Sequence, residues 1–217
     1  MWLTLAVNCV VLGCAQFVAA GTFKYWQAWV FIGVVTVCSV LLTLSMAKNP
    51  ALLESRAKYG PGAEKRTIQK VIVLCAAVPG IATFLVPALD HRFGWSNVPW
   101  WLSVAGDVLI VAGLWMVNRV FEANAFASAT VEIADDQKVI STGPYAVVRN
   151  PMYASAAVYL AGASLALGSY WGLIASGLTV LGLVWRLLDE EKFLAENLPG
   201  YTEYCAKVRW HLIPGVF

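Results

Sequence analysis

The amino-acid sequence predicts an all-α polytopic membrane protein with about six hydrophobic helical segments, of which the last two form a tight hairpin. The first observation is composition, because the 217 residues are 59% hydrophobic and only 13% charged, with a mean hydropathy of +0.68. A water-soluble domain does not have this composition. The second observation is that the apolar residues are grouped in stretches of about 20, the length that a helix needs to cross a bilayer. The alternating ten-residue pattern of membrane β-strands does not occur in the sequence.

The first four apolar stretches predict one membrane-spanning helix each. A fifth apolar region is too long for one helix and contains Gly168-Ser169-Tyr170-Trp171 near its middle, which predicts a hairpin of two short helices. The five stretches cover residues 2–20, 26–47, 68–89, 98–121 and 152–188.

The distribution of basic residues predicts the orientation in the membrane, since Lys and Arg accumulate in cytoplasmic loops. If the N-terminus is cytoplasmic and the hairpin crosses the membrane twice, only Lys24 and Arg92 of the 15 Lys and Arg residues lie in outer loops. The connection between the fourth and fifth segments and the C-terminal tail are then both cytoplasmic. The net charge of +2 gives no indication of nucleic-acid binding. Of the five cysteines only Cys205 lies in a polar segment, which predicts neither a disulfide framework nor a metal site.

The stretch GPYAVVRNPMY, residues 143–153, is unusually polar for this chain. Pro144 is suited to a turn after Gly143, and Pro151 is suited to the first turn of a helix, where its missing N–H costs nothing. In the simplest interpretation Arg149 and Tyr153 only anchor a helix end at the membrane interface.

The end of the last apolar segment favours a binding site instead. Arg186, Glu190 and Glu191 lie where this helix leaves the membrane, close to the first polar cluster if the hairpin is closed. Arg186 and Glu190 share a helix face, so an ordinary helical ion pair is the alternative.

These two motifs resemble those of the membrane methyltransferases related to isoprenylcysteine carboxyl methyltransferase. GPYAVVRNPMY is similar to the family's G-x-Y-x-x-x-R-H-P-x-Y, and EEKFLAENLPGYTEYCAKVRWHLIP, residues 190–214, is similar to its E-E-x-x-L…Y-x-x-Y…P tail. Asn150 departs from the family's usual His. The resemblance covers residues 98–217 and defines a methyltransferase-like membrane domain. Residues 1–97, the N-terminal helices with a basic cytoplasmic loop, carry no family motif.

The resemblance implies S-adenosylmethionine as cofactor, bound at the cytoplasmic side without a Rossmann domain. It implies that Glu190 binds this cofactor and that Arg186 faces the substrate as the catalytic residue. It also implies Glu132 as a further polar contact before the cofactor-binding loop. The remaining cofactor-binding residues implied by the resemblance are Gln137, Lys138, Val139, Ile140, Tyr145, Asn150, Pro151, Met152 and Tyr153.

The chemistry of the cofactor agrees with these residue types. A carboxylate such as Glu190 suits the α-ammonium, a donor such as Asn150 suits the α-carboxylate, and apolar or aromatic side chains suit the adenine. Methyl transfer is an in-line displacement that requires alignment of donor and acceptor, with no metal. The acceptor is expected to be lipophilic and to arrive through the membrane lipids. The carboxylate of a prenylcysteine-like compound is one such acceptor, and Arg186 would orient this anion.

Several alternatives remain open. Phospholipid amines and small thiols are acceptors of related enzymes, and Arg186 could pair with Glu190 rather than with a substrate. A nicotinamide-dependent membrane reductase of related fold would need more basic residues near the site than Lys138, Arg149 and Arg186. A transporter or scaffold would need no cofactor.

Overall fold

The computed structural model describes residues 2–47, 62, 64, 66–124 and 138–217, and within these residues the protein is helical without strands. The all-α prediction is confirmed. The elements are α1 (Trp2–Ala20), α2 (Trp26–Met46), α3 (Thr67–Phe93), α4 (Trp100–Ala123), a short 3-10 helix (Gly143–Ala146), α5 (Pro151–Ala166), α6 (Tyr170–Asn197) and α7 (Tyr201–Lys207).

Four of these helices, α2, α3, α4 and α6, are long and apolar enough to cross a membrane, and α1 contains a shorter apolar stretch. Large apolar side chains remain on the outside of the bundle, such as Val18, Val78 and Val108 with 76%, 73% and 62% of their surface exposed. Apolar groups in such numbers are stable when they face lipid rather than water. The protein is therefore an integral membrane protein.

Three short turns lie at one end of the bundle, where they join α1 to α2, α3 to α4 and α5 to α6. The Tyr25 hydroxyl donates to the Leu167 carbonyl oxygen over 2.6 Å, and the Tyr25 ring stacks on His91 with 4.1 Å between centroids. The buried Asp90 carboxylate accepts hydrogen bonds from Ser96 and from Ser169. The described residues just before α3, those that lead into α5 and the C-terminal tail are all at the opposite end, as the predicted order of crossings requires.

The predicted hairpin is present, with α5 and α6 joined through Gly168, whose φ of 73° lies in the left-handed region that favours glycine. The prediction of two short helices is wrong for the second one, because α6 has 28 residues. At 1.5 Å per residue this helix is about 42 Å long, roughly 12 Å more than the hydrocarbon core of a bilayer. The last two to three turns of α6 therefore extend beyond the apolar layer, and these turns contain the run Asp189-Glu190-Glu191.

Helices α4 and α5 pack closely because glycine lies at their contact. A Cβ atom on Gly106 would lie 2.3 Å from the Ala166 backbone nitrogen and 2.7 Å from the Gly162 carbonyl oxygen. A Cβ atom on Gly162 would lie 2.8 Å from the Leu109 Cβ. Small residues at a helix contact let backbones approach and gain dispersion energy, which is the main attraction between helices in lipid. This contact places the start of α5, with its polar motif, beside the end of α4.

We predict that Gly106→Ala destabilises the protein, although alanine is the better helix former by about 1 kcal/mol. The added methyl group overlaps backbone atoms of α5, and overpacking of this kind costs about 1 to 3 kcal/mol. Thermal unfolding in detergent measures the effect. The matched control is Gly177→Ala on α6, where an added Cβ has no neighbour within 4 Å, and this variant should melt at or above the parent. Equal melting of both variants would contradict the packing described here.

Candidate active site

The three consecutive carboxylates at the end of α6, Asp189, Glu190 and Glu191, form an acidic triplet that binds three different parts of the chain. Successive side chains on an α-helix are rotated by about 100°, so neighbours in sequence point in different directions. Asp189 binds the start of α3, Glu190 binds α5, and Glu191 binds the α4–α5 connection and the tail.

Asp189 joins α6 to α3. Both terminal nitrogens of Arg66 donate to its carboxylate, over 2.5 and 3.1 Å, and Gln69 Nε2 donates to it over 2.5 Å. The Arg66 guanidinium also lies over the Phe193 ring, 4.8 Å from its centroid. Bidentate pairing together with a cation–π contact fixes the orientation of Arg66. The residues just before α3 are thereby held against the end of α6.

In the described part of the chain, hydrogen bonds connect Arg186 to Glu190 through Tyr153. The Tyr153 hydroxyl donates to Glu190 Oε2 over 2.5 Å, and Arg186 Nε donates to the same hydroxyl over 3.2 Å. The ion pair of Arg186 is with Glu64, in the segment before α3, and its Nη2 lies 2.5 Å from Glu64 Oε1. The simple helical ion pair between Arg186 and Glu190 is therefore replaced by a longer chain of contacts.

Glu191 is the centre of a second buried cluster. Its Oε1 accepts a hydrogen bond from Asn150 Nδ2 and lies 2.9 Å from His211 Nδ1. Its Oε2 lies 3.3 Å from Arg149 Nη1. Asn150 and Glu191 are each only 8% exposed, so their polar atoms depend on these contacts.

The polar stretch at residues 143–153 is held in place by its contact with the C-terminal tail. The backbone N–H of Arg149 donates to the Trp210 carbonyl oxygen over 2.8 Å, and that of Asn150 donates to His211 over 3.0 Å. Pro151 then occupies the first turn of α5, and Pro144 lies in the 3-10 helix, as the sequence predicted. The extended piece between these prolines is therefore held by the tail on one side and by Glu191 on the other.

Helix α7 covers the neighbouring part of the site. The Tyr204 hydroxyl donates to the Tyr145 carbonyl oxygen over 2.8 Å, and Val139 packs against a small core that contains Tyr201 and Tyr204. Burial, with the nearby Glu191 carboxylate as a second cause, raises the pKa of Tyr201 far above that of an exposed tyrosine. This hydroxyl therefore stays neutral at physiological pH.

The predicted site residues fall into three groups. Tyr153 contacts both Arg186 and Glu190, and Asn150, which precedes Pro151, contacts Glu191, the neighbour of Glu190 in sequence. Tyr145 and Val139 lie under α7, Ile140 and Met152 are half-buried, and Lys138 is exposed. Gln137 and Glu132 lie outside the described residues.

Sequence reasoning missed several residues of the site. On sequence alone no role is assigned to Glu191 at the end of the last helix. A helical projection nevertheless points its side chain in a different direction from that of Glu190. Glu64 and Arg66 lie in a connection without any motif, and His211 lies in the tail, so no local pattern indicated them. The full set of missed residues is Glu64, Arg66, Gln69, Arg149, Asp189, Glu191 and His211.

The geometry defines an integral membrane protein with a buried, charged site where α3, α5, α6 and the tail meet. Residues 101–199 match the family model described as phospholipid methyltransferase, which covers α4, α5 and α6. The match covers 99 of the 217 residues, and this part of the chain is similar to the isoprenylcysteine carboxyl methyltransferase-like family of membrane methyltransferases. The protein is therefore a membrane methyltransferase, and a nicotinamide-dependent reductase is not favoured. No curated protein matches the chain.

We predict that Glu191→Ala loosens the tail. The change leaves Arg149 and His211 without the carboxylate that they share, and loss of one member of a buried ion pair typically costs about 3 to 5 kcal/mol. Trypsin should then cleave after Lys207 and Arg209 faster than in the parent, as followed by mass spectrometry of the released peptides. Glu196→Ala, at an exposed position on the same helix, is the control and should be cleaved like the parent. Equal rates in all three proteins would contradict this role of Glu191.

Proposed function

We propose that the protein transfers a methyl group from S-adenosylmethionine to a lipophilic acceptor delivered through the membrane. The observation that carries the cofactor assignment is the environment of Glu190. Among the described residues its carboxylate is held by the neutral Tyr153 hydroxyl, whereas the carboxylates of Asp189 and Glu191 each form an ion pair with an arginine. Glu190 is thus the member of the acidic triplet best suited to receive an ammonium group.

The charge of the surroundings agrees with a cationic cofactor. Among the described residues, three guanidinium groups contact this site and four carboxylates face them, which leaves an excess of one negative charge when His211 is neutral. The groups are Arg66, Arg149 and Arg186, and Glu64, Asp189, Glu190 and Glu191. S-adenosylmethionine has a sulfonium, an ammonium and a carboxylate, so its net charge is positive. A partly buried site with the opposite charge attracts it.

The other residues fit the remaining parts of the cofactor. Asn150 uses an amide N–H for Glu191, and its second N–H can donate to the α-carboxylate. Tyr145, Tyr153, Val139 and Ile140 supply aromatic and apolar surface for the adenine. Pro151 fixes the backbone that carries Asn150, and Met152 adds apolar surface. Gln137 and Lys138 precede Val139 and belong to the same proposed binding segment.

The cofactor, when bound, supplies an activated methyl group, and the role of the protein is alignment and exclusion of water. Arg186 is proposed to orient the acceptor, because its guanidinium lies one hydrogen bond from Tyr153 and therefore close to Glu190. A carboxylate acceptor such as a prenylcysteine-like compound would share Arg186 with Glu64. Phospholipid amines and small thiols are the other acceptor classes with which the prenylcysteine-like carboxylate is to be compared in activity assays.

We propose in addition that the site faces the cytoplasm, because 13 of the 15 Lys and Arg residues belong to this end of the bundle when the predicted loops are used. Charge asymmetry of this size normally determines membrane orientation.

The cofactor assignment predicts different effects for two substitutions one helical turn apart. Glu190→Gln should weaken S-adenosylmethionine binding by about 1.5 to 3 kcal/mol, the strength of a hydrogen bond to a charged group. Arg186→Ala should leave cofactor affinity close to that of the parent and abolish turnover. Calorimetry on detergent-purified protein measures affinity, and radiolabelled transfer to a panel of prenylcysteine, phospholipid and thiol acceptors measures turnover. Glu196→Gln is the control. Failure of the parent to bind the cofactor would refute the proposed function.

The orientation predicts how introduced cysteines react in a variant that lacks the five native ones. Cysteine at Glu203, exposed on α7, should be labelled by a membrane-impermeant maleimide only after the membrane is opened. Cysteine at Lys24, in the α1–α2 turn, should be labelled in intact cells. The reverse pattern would place the site on the other side.

A further inference from the structure

Glu64 lies in the N-terminal half of the chain and is part of the candidate site. It lies outside the residues that match the methyltransferase family, and 122 residues separate it from Arg186. Its side chain is only 2% exposed and that of Arg186 is 12% exposed, so their ion pair is almost completely shielded from water. A shielded carboxylate is found in a protein mainly where a cation or a set of donors holds it, and here the Arg186 guanidinium does so.

The position of Glu64 is secured by its neighbours. Arg66 and Gln69 both donate to Asp189, which lies one helical turn from Arg186 on α6. The segment that contains Glu64 is therefore attached to the end of α6 that contains Arg186. This attachment distinguishes Glu64 from a side chain on a surface loop that meets an arginine by chance.

Glu64 is the first member of a chain of directed contacts that ends at Glu190. Its Oε1 holds Arg186 Nη2, Arg186 Nε donates to the Tyr153 hydroxyl, and that hydroxyl donates to Glu190 Oε2. Because a guanidinium is planar and rigid, fixing one nitrogen determines where the other N–H groups point. Glu64 thereby turns the Arg186 guanidinium toward Tyr153.

The consequence concerns Arg186 and Glu190, which lie four residues apart on α6. Residues at this spacing are neighbours on the helix surface, and an arginine and a glutamate there readily pair. Without the Glu64 carboxylate, the Arg186 guanidinium can turn toward the Glu190 carboxylate at this spacing. A direct pair between them would occupy the group to which we assign the cofactor ammonium.

We propose that Glu64 is a positioning residue that keeps Arg186 away from Glu190 and so keeps the Glu190 carboxylate available to the cofactor. This inference rests on the proposed function, in which Glu190 binds the ammonium of S-adenosylmethionine. Glu64 itself touches neither the methyl donor nor the acceptor. Its effect on affinity is transmitted through the guanidinium that it holds.

The test is a double-variant cycle read by S-adenosylmethionine binding to the full-length protein in detergent. Glu64→Ala should raise the Kd about tenfold, a change that equals about 1.4 kcal/mol. Glu64→Gln, which keeps the shape of the side chain, should raise it severalfold. Glu64→Ala combined with Arg186→Ala should return the Kd to within about threefold of the parent, because the competing cation is gone. A purely structural role for Glu64 predicts that the double variant binds as weakly as the single one, or more weakly.

A matched control is Glu122→Ala. This change also removes a glutamate from a close pair with an arginine, Arg119 at 2.6 Å, but on an exposed surface of α4. It should bind the cofactor like the parent. Thermal unfolding of each variant, recorded alongside, verifies that binding is compared between folded proteins.

The outcomes separate this inference from the function on which it rests. If the parent does not bind S-adenosylmethionine, or if Glu190→Gln binds it as well as the parent, the proposed function fails. If the parent binds, Glu190→Gln does not, and Glu64→Ala binds like the parent, only the role of Glu64 is refuted. Lack of recovery in the double variant likewise refutes it.

Discussion

The acidic triplet at the end of α6 is the interaction on which the rest of the site depends. Because α6 is longer than the apolar layer, its last turns carry charges beyond the lipid without the large desolvation cost of the membrane interior. Three consecutive carboxylates then point in three directions and bind α3, α5 and the tail. A single helix end therefore assembles segments that are distant in sequence.

Of the three links, two are ion pairs and one is a hydrogen bond from a neutral phenol. This difference is the basis on which different roles are proposed for the three acidic residues. Asp189 and Glu191 already have arginine neighbours and act mainly as attachment points. Glu190 has Tyr153, a donor that orients the carboxylate without cancelling its charge. In the proposed function, a positively charged methyl donor binds at Glu190 because the other two carboxylates already pair with arginines.

The N-terminal half has a larger part in the site than its motif-free sequence indicates. Glu64 and Arg66 come from the connection into α3 and Gln69 from the first turn of α3, all outside the matched region, yet their contacts lie on α6. The candidate site thus contains residues from both sides of residue 97, the domain boundary that the motifs predict, and that boundary stays a prediction. Tyr153, Glu190, Arg186 and Asn150 could be found from sequence because each lies in a motif at a helix end. Glu64 and His211 could not, because an isolated Glu in a polar connection and an isolated His in a tail have no local pattern.

Sequence alone predicts the class of fold, the hairpin and the meeting of two polar motifs at one end of the bundle. These follow from apolar length, from turn residues such as Gly168 and from the placement of proline, all of which act within a few neighbouring residues. Only the tertiary structure decided which carboxylate binds which cation. Arg186 has Glu190 four residues away, yet it pairs with Glu64 at a separation of 122 residues. The physical reason is that buried charges select partners by distance and direction in space, and helix packing through contacts such as Gly106 against α5 sets those distances.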